Sequence, residues 1–338
     1  MVESKHQWKA WLYLSPAIVL LLVFTVWPII NTLFMAFSEG YTAMGNVAGE
    51  TFKFGIGNFT KVLLKFPDFK ECLINTMILC FATVPISTFL ALLIAVCLNS
   101  IGPLKRLLQT IFFLPYVTNS IAVGMVFAAM FNIVGTFLGS ESQIVTSAGL
   151  VNYFIDITGL GNIIEWLLVN HPETIKWLTT TYPISWINDG STYMANMIVM
   201  VVYIVWNALP FKILILLGGL QSINKQYYDA AKIDSTPRAR VFTKITVPLL
   251  SPMLAYVVIT GFIGGFKEYS SIVGVFGEKM GPAGDYGRLN TMVGFIYDAL
   301  YSPVPKYGRA SAAALILFGI IFIVTMINLY VSKKKTHY

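Results

Sequence analysis

Three ionisable side chains, Lys212, Lys267 and Glu268, fall within or at the edge of stretches that are otherwise apolar. A charge at membrane depth is costly and faces a cavity or a partner. The carboxylate of Glu268 therefore binds a polar solute, is neutralised by Lys212 or Lys267, or lies open at the outer mouth of a span. Other chemistry is scarce. The three histidines, His6, His171 and His337, lie outside the apolar runs, and no His-Glu-x-x-His occurs. No Gly-x-x-x-x-Gly-Lys-[Ser/Thr] occurs either, so the chain does not itself cradle ATP phosphates. The lone Gly-x-Gly of FGIGNF (Phe54–Phe59) reads as a turn. Cys72, Cys80 and Cys97 share one run, and at helical rise the last two stand roughly 25 Å apart. That spacing disfavours a disulfide framework or a metal cluster and leaves them as small packing residues. A polytopic enzyme or ion-coupled carrier would want a metal set or a relay of buried acids and bases, and Glu268 is the only acid among the spans.

A second stretch points to mechanics. YYDAAKIDSTPRARVFTKITVPLLSP (Tyr227–Pro252) is basic and lies between two apolar runs. Tyr227, Tyr228, Ala230, Ala231 and Ile233 spread small and apolar side chains over about two turns, interrupted by Asp229, Lys232 and Asp234, so one side is adhesive and the other wet. The first helix should stop near Asp234. Thr236 is then expected to cap a second helix whose first position is Pro237, where a missing N–H costs nothing. Arg238, Arg240 and Lys244 flank Phe242 and Ile245, and Pro248 ends or kinks the helix before the next span. A rigid helix-turn-helix with an apolar tip suits transmission of force from a soluble partner. The alternative is a loop lying on the bilayer, anchored by Tyr and Phe in the headgroups.

The elements that must position these groups follow from composition. Of 338 residues, 56% are hydrophobic and 12% charged, against about 25% charge in an average soluble domain. Charge-free runs cover Ala10–Ser38, Cys72–Leu104, Leu107–Ser140, Gly190–Phe211, Ile245–Phe266 and Ala310–Ser332. Each exceeds the roughly 18 residues that cross a ~30 Å hydrocarbon layer. The expectation is an all-α polytopic membrane protein with six transmembrane helices, the fourth prolonged past Lys212 to Leu220, and both termini cytoplasmic. The first run is too long for a signal-peptide core and lacks a small-residue cleavage site, so it is expected to be retained. The divisions are a tail over 1–9, a membrane domain over 10–332 and a basic tail over 333–338.

With the N-terminus inside, the inner segments carry twelve basic and three acidic residues, the outer segments nine and twelve. The net charge of +7 is thus a topology signal and not a nucleic-acid-binding one. The inner turn Asn99–Arg106 is short, which leaves 221–250 as the inner segment large enough for a docking surface. The outer segments are 39–71, 141–189 and 267–309. The middle one carries Trp166, Trp177, Tyr182, Pro183 and Trp186 and is expected to be ordered. Part of GLVNYFIDITGLGNIIEWLL within it suits an apolar helix on the membrane surface. This segment either touches an extracellular partner or plugs the helix ends. No internal repeat is evident.

The Tyr227–Pro252 stretch resembles the EAA loop of binding-protein-dependent ABC importer permeases, whose pattern is roughly Glu-Ala-Ala, an Asp-Gly-Ala turn, a Phe and an Ile-x-Leu-Pro ending. Here those positions read Asp229-Ala230-Ala231, Asp234-Ser235-Thr236, Phe242 and Ile245-Thr246-Val247-Pro248. FLPY (Phe113–Tyr116), VWNALPF (Val205–Phe211), GGLQSI (Gly218–Ile223), NTMVGFIYD (Asn290–Asp298) and KYGRASAAA (Lys306–Ala314) are similar to segments of the sugar and oligosaccharide branch. The resemblance covers most of the chain from Trp11 to Tyr330. It departs at two places. Asp229 shortens the usual Glu by a methylene, and Ser235 replaces the usual turn glycine, at a cost on the order of 1 kcal/mol if its φ is positive.

The resemblance implies a type I ABC importer permease fold in a prokaryotic plasma (inner) membrane, with no catalytic or metal site and no cofactor of its own. It implies a second homologous permease subunit and an ATPase dimer that binds ATP and Mg. It also implies an extracellular, lipid-anchored sugar-binding protein that delivers cargo. The ATPase-coupling positions would be Tyr228, Asp229, Ala230, Ala231, Asp234, Ser235, Phe242, Ile245 and Pro248. By the same resemblance the sugar would be held by Tyr116, Ser120, Trp206, Asn207, Phe211, Gly264, Gly265 and Glu268. Pyranose faces stack on aromatics, and hydroxyls need fixed polar partners, among them a carboxylate at 268. Trp206 and Phe211 read equally as packing, and Gly264-Gly265 either permit close helix approach or leave room for a ring. Oligosaccharide is the expected cargo. Glycerol phosphate or a peptide is the alternative, with Lys212 and Lys267 as the cations available for an anion.

Overall fold

A computed structural model describes residues 7–41, 53–101, 105–138, 142–303 and 306–335. It begins with α1 (Trp8–Phe37), β1 (Ser38–Glu39), β2 (Lys53–Phe54), α2 (Gly57–Lys65) and α3 (Pro67–Ser100). There follow α4 (Lys105–Val117), α5 (Ser120–Phe131), β3 (Val134–Leu138), β4 (Ser142–Ser147), α6 (Gly149–Ile157), α7 (Leu160–Asn170) and α8 (Pro172–Ile175). The remainder is α9 (Tyr193–Ser222), α10 (Lys225–Ile233), α11 (Arg238–Leu249), α12 (Ser251–Gly265), α13 (Ser270–Phe276), α14 (Met292–Tyr301) and α15 (Tyr307–Lys335).

Among the described residues four helices, α1, α3, α9 and most of α15, are long and apolar enough to cross a membrane, and a fifth arises if α11 and α12 are one span bent by 67°. The fourth apolar run does continue past Lys212, to Ser222. The third does not form the single helix expected over Leu107–Ser140. Asn119 takes an extended backbone, and its side chain accepts the Ile121 amide at 2.8 Å, capping α5 as a new helix. The end of the same run pairs as the antiparallel hairpin β3–β4. A second short hairpin, Ser38 with Phe54 and Glu39 with Lys53, is the other departure from an all-α chain.

The chain divides into two compact units, Met1–Lys70 with Met292–Gly319, and Glu71–Thr291 with Ile320–Tyr338. In the first, Asn58 is buried and donates to the Ala36 and Ser38 carbonyls at 3.0 Å each, while Glu39 accepts the Gly57 amide at 2.6 Å. Gly308 makes room for that asparagine, since a Cβ there would stand 2.6 Å from Asn58 Nδ2. The Arg309 guanidinium lies over Phe66 and Phe295 at 4.1 and 4.7 Å. Along α1, by contrast, Trp8, Trp11, Tyr13, Phe24 and Trp27 are all exposed, the surface of a helix made for lipid or another chain.

The second unit has two apolar clusters. One joins α5, α9 and α13 to Ile184 and Trp186, and here α5 meets α13 so closely that a Cβ on Gly124 would stand 2.7 Å from Gly274 Cα. The other joins Ala91, Ala95 and Leu98 of α3 to Ile213, Leu216 and Leu220 of α9 and to Val257 of α12. Both give α9 fixed neighbours along its length. That fixes which of its faces looks into the cavity described next.

Candidate functional site

Four helices and one loop residue bound a cavity of about 290 Å³ within the second unit. From α9 come Ile204, Asn207, Ala208, Phe211 and Lys212; from α12 come Val257, Thr260, Gly261, Gly264 and Gly265, with Glu268 beyond its end. These are two stripes at helical spacing, each one face of a helix. Thr83, Val84 and Ser87 of α3 and Tyr116 of α4 complete the lining.

Six of the eight residues proposed from sequence line this cavity: Tyr116, Asn207, Phe211, Gly264, Gly265 and Glu268. Tyr116 and Phe211 stack with ring centroids 5.6 Å apart and planes 19° from parallel, an apolar wall. Ser120 and Trp206 do not line it. Ser120 Oγ lies 3.1 Å from the Tyr203 hydroxyl and accepts from Asn207 Nδ2 at 3.5 Å, so it orients the asparagine from behind. Trp206 is turned against Phe127, centroids 5.2 Å apart. A quarter turn along α9 separates Trp206 from Asn207, and packing decides which of them faces inward.

The two adjacent glycines have different surroundings. A Cβ on Gly265 would stand 2.8 Å from Cys80 Sγ, so this glycine permits close approach of α12 to α3. A Cβ on Gly264 would meet nothing within 4 Å, so this one keeps the cavity open. Glu268 is neutralised by neither lysine. Its Oε1 accepts the amides of Tyr269 at 3.2 Å and Ser271 at 3.1 Å, closing the start of α13, and it forms no ion pair among the described residues. Lys267 is exposed. Lys212 is buried and donates to Ser87 Oγ at 2.6 Å, Thr88 Oγ1 at 3.0 Å and the Val84 carbonyl at 3.3 Å, linking α9 to α3. Thr83, Ser87, Thr260 and Gly261 were not singled out from sequence. Their signal was present: small polar or glycine positions recurring at i, i+3 and i+4 inside apolar runs.

The Tyr227–Pro252 stretch is helix-turn-helix as expected, with one correction at the second cap. Thr236 does not cap α11; Pro237, in extended backbone, is the cap residue, and its carbonyl accepts the amides of Arg240 and Val241 at 2.9 and 3.1 Å. The turn before it is fully bonded. Ser235 N donates to Lys232 O at 3.0 Å and Thr236 N to Ala231 O at 2.9 Å, the pair of bonds that closes a helix through a left-handed residue. That residue is Ser235, at φ +52°, where glycine would be unstrained.

Of the positions that the resemblance assigns to coupling, Ala231 is buried, Phe242 packs against the α3–α9–α12 cluster, and the Tyr228 hydroxyl lies 3.3 Å from Thr246 Oγ1. Ile245 and Pro248 are half-buried where the chain bends toward α12. These hold the knob in place. Asp229, Ala230, Asp234 and Ser235 face outward, Asp229 paired with Lys232 at 3.0 Å. At the end of α10, Ile233 is 84% exposed, an apolar tip left uncovered among the described residues.

The 142–189 region is packed rather than loose. Asn152 donates to the Ala148 carbonyl at 2.8 Å and the Ile184 carbonyl at 3.0 Å and accepts Trp186 Nε1 at 3.2 Å, and Asn196 donates to the Trp186 carbonyl at 2.7 Å. Tyr182 donates to Asp156, and burial followed by that carboxylate pushes its hydroxyl up to about 12, holding the proton in place. On the other face Tyr153, Phe154, Ile157, Ile163 and Trp166 are exposed.

A family model described as a binding-protein-dependent transport system inner membrane component matches residues 83–337. The lactose transport system permease protein LacF of Rhizobium radiobacter is 26% identical over 331 residues, covering 97% of this chain and 95% of that one. The arabinooligosaccharides transport system permease protein AraP of Bacillus subtilis is 28% identical over 323 residues, covering 95% and 88%. Among solved structures, a chain of a bacterial ABC transporter involved in the import of the acidic polysaccharide alginate superposes with a TM-score of 0.72 at 18% identity, covering 98% of both chains. That likeness shows a shared fold.

Proposed function

Since this chain belongs to the binding-protein-dependent transport system inner membrane components, we propose that it is the sugar-translocating permease subunit of an ATP-driven ABC importer. The observation that carries the cargo class is the cavity wall. Stacked Tyr116 and Phe211 offer a flat apolar face for a pyranose, and Asn207, Thr83, Ser87 and Thr260 surround it with hydrogen-bonding groups. Names of the relatives, which transport lactose and arabinooligosaccharides, support a saccharide and favour an oligosaccharide. At about 290 Å³ the cavity alone lies at the small end of ligand sites, roughly 300–1,000 Å³. A second permease subunit facing it would complete an oligosaccharide site.

The knob at 225–249 supplies the coupling. Its inner face is anchored through Phe242, Ala231 and Tyr228, and Ile233 and Asp229 are presented to an ATPase dimer below. The 67° bend at the junction of α11 and α12 joins the knob directly to the helix that carries Gly261, Gly264 and Gly265, so a pull on one is a displacement of the other. ATP and Mg would bind on the ATPase, and an extracellular binding protein would load the sugar from the opposite face of a prokaryotic plasma membrane. In this arrangement six spans place both termini inside.

The test is reconstitution in lipid with the neighbouring permease, ATPase and binding protein. ATP hydrolysis stimulated by sugar and binding protein is expected, and Asp229→Ala with Phe242→Ala should uncouple it by at least about tenfold while the complex still assembles. If no ATPase associates with the chain, the importer assignment fails.

A further inference from the structure

Lys212 stands in the cavity and forms no ion pair among the described residues. It is 5% exposed, and its three hydrogen bonds go to two hydroxyls and a carbonyl, all neutral. The ion pairs Glu173–Lys176, Asp229–Lys232 and Asp285–Arg288 all lie outside the cavity. An ammonium buried without an anion is costly, and such groups in spans mark solute pathways. The cavity's own acid is not in contact with it: Glu268 Oε1 accepts the amides that open α13, and no ion pair joins the two side chains.

Access to the ammonium depends on a single missing methyl. A Cβ on Gly261 would stand 3.3 Å from Lys212 Nζ and 3.6 Å from Cε, so any side chain there would cover the cation from the α12 side. The longest of the three bonds, 3.3 Å to the Val84 carbonyl, is also the most replaceable. That oxygen already accepts the Thr88 hydroxyl at 2.7 Å and the Ser87 hydroxyl at 3.2 Å.

We infer that Lys212, uncovered by Gly261, is an anion subsite, and that the cargo is a carboxylated sugar whose acid group meets Lys212 while its hydroxyls meet Asn207. The inference rests on the sugar-import function proposed above and adds a class of sugar to it. A carboxylate takes the place of the Val84 carbonyl and supplies the missing charge. A neutral sugar leaves the ammonium as it is.

Glucose and glucuronate differ at C6 alone, hydroxymethyl against carboxylate, and serve as the probe pair. Their affinities are measured by saturation-transfer NMR on the assembled permease–ATPase complex in nanodiscs, without binding protein, so that the cavity and not the delivery protein is read. Glucuronate should bind about tenfold more tightly than glucose, the worth of one charge-assisted hydrogen bond. Lys212→Met should bring that ratio close to one, and Lys212→Arg should keep most of it. Gly261→Ala leaves the lysine in place but covers it, should also bring the ratio down, and decides the matter if the Lys212→Met complex does not assemble. Equal affinities in the wild type, or a preference that survives both Lys212→Met and Gly261→Ala, overturn the anion subsite and leave sugar import standing. Binding of neither sugar overturns the anion subsite, while sugar import is judged separately by the reconstituted hydrolysis.

Discussion

The cavity and the knob treat their polar and apolar groups in opposite ways. Inside the cavity the amide of Asn207, the ammonium of Lys212 and the carboxylate of Glu268 are each tied to a neighbouring helix or to backbone amides. Geometry there is set before any solute arrives, as a binding site of fixed shape requires. In the knob the inner face is anchored, but the charged pair Asp229–Lys232 and the tip Ile233 are open to solvent. A surface salt bridge contributes little by itself, and an exposed Ile is only useful once covered. The polar groups of the first region are fixed by this chain's own bonds; the second presents an uncovered apolar tip.

Substitutions that affect stability in one region and coupling in the other sharpen the contrast. The largest effect is expected at Gly265, where Val would drive methyl groups into Cys80 and cost about 2 kcal/mol or more. The measurement is the thermal midpoint of the purified complex. Gly264→Ala, one residue away in open space, should leave that midpoint in place and weaken sugar binding; equal destabilisation by the two would erase the distinction between them.

Next in size is Ile233→Asp. Because the side chain is 84% exposed, folding should be untouched, while sugar-stimulated ATP hydrolysis falls on the order of tenfold, the loss typical of an apolar anchor in an interface. Hydrolysis at wild-type level would make the knob a membrane-lying loop rather than a coupling element. Smallest is Ser235→Gly, which relieves a φ of +52° and should stabilise by about 0.5–1 kcal/mol, read as a modest rise in thermal midpoint with hydrolysis unchanged. A fall instead would mean that the Ser235 hydroxyl contributes something the backbone does not.

Legibility differed between the regions for a physical reason. The knob is local: residues within about 25 positions make its helices and turn, so the first stop near Asp234 follows from propensity, while the second cap lies at Pro237 rather than Thr236 and the bend comes at Leu250, two residues past Pro248. The cavity is assembled from α3, α4, α9 and α12, far apart in sequence. Motif marks Asn207, Phe211 and Glu268, yet it marks neighbouring Trp206 equally, and that ring faces Phe127 instead. Ser87 and Thr83 carry no such mark, because a single polar residue in an apolar run has many roles until its facing helix is known.

By itself the sequence determined that the chain lives in a membrane, which runs form its helices in outline, and the helix-turn-helix of the knob. Each depends on composition or on periodicity along one stretch of backbone. Only the tertiary structure decided that the run over Leu107–Ser140 breaks at Asn119, that Gly264 opens space while Gly265 closes it, and that Lys212 binds α3 rather than Glu268. These depend on which side chains meet across helices distant in the chain, and burial leaves room for only one such arrangement at close packing.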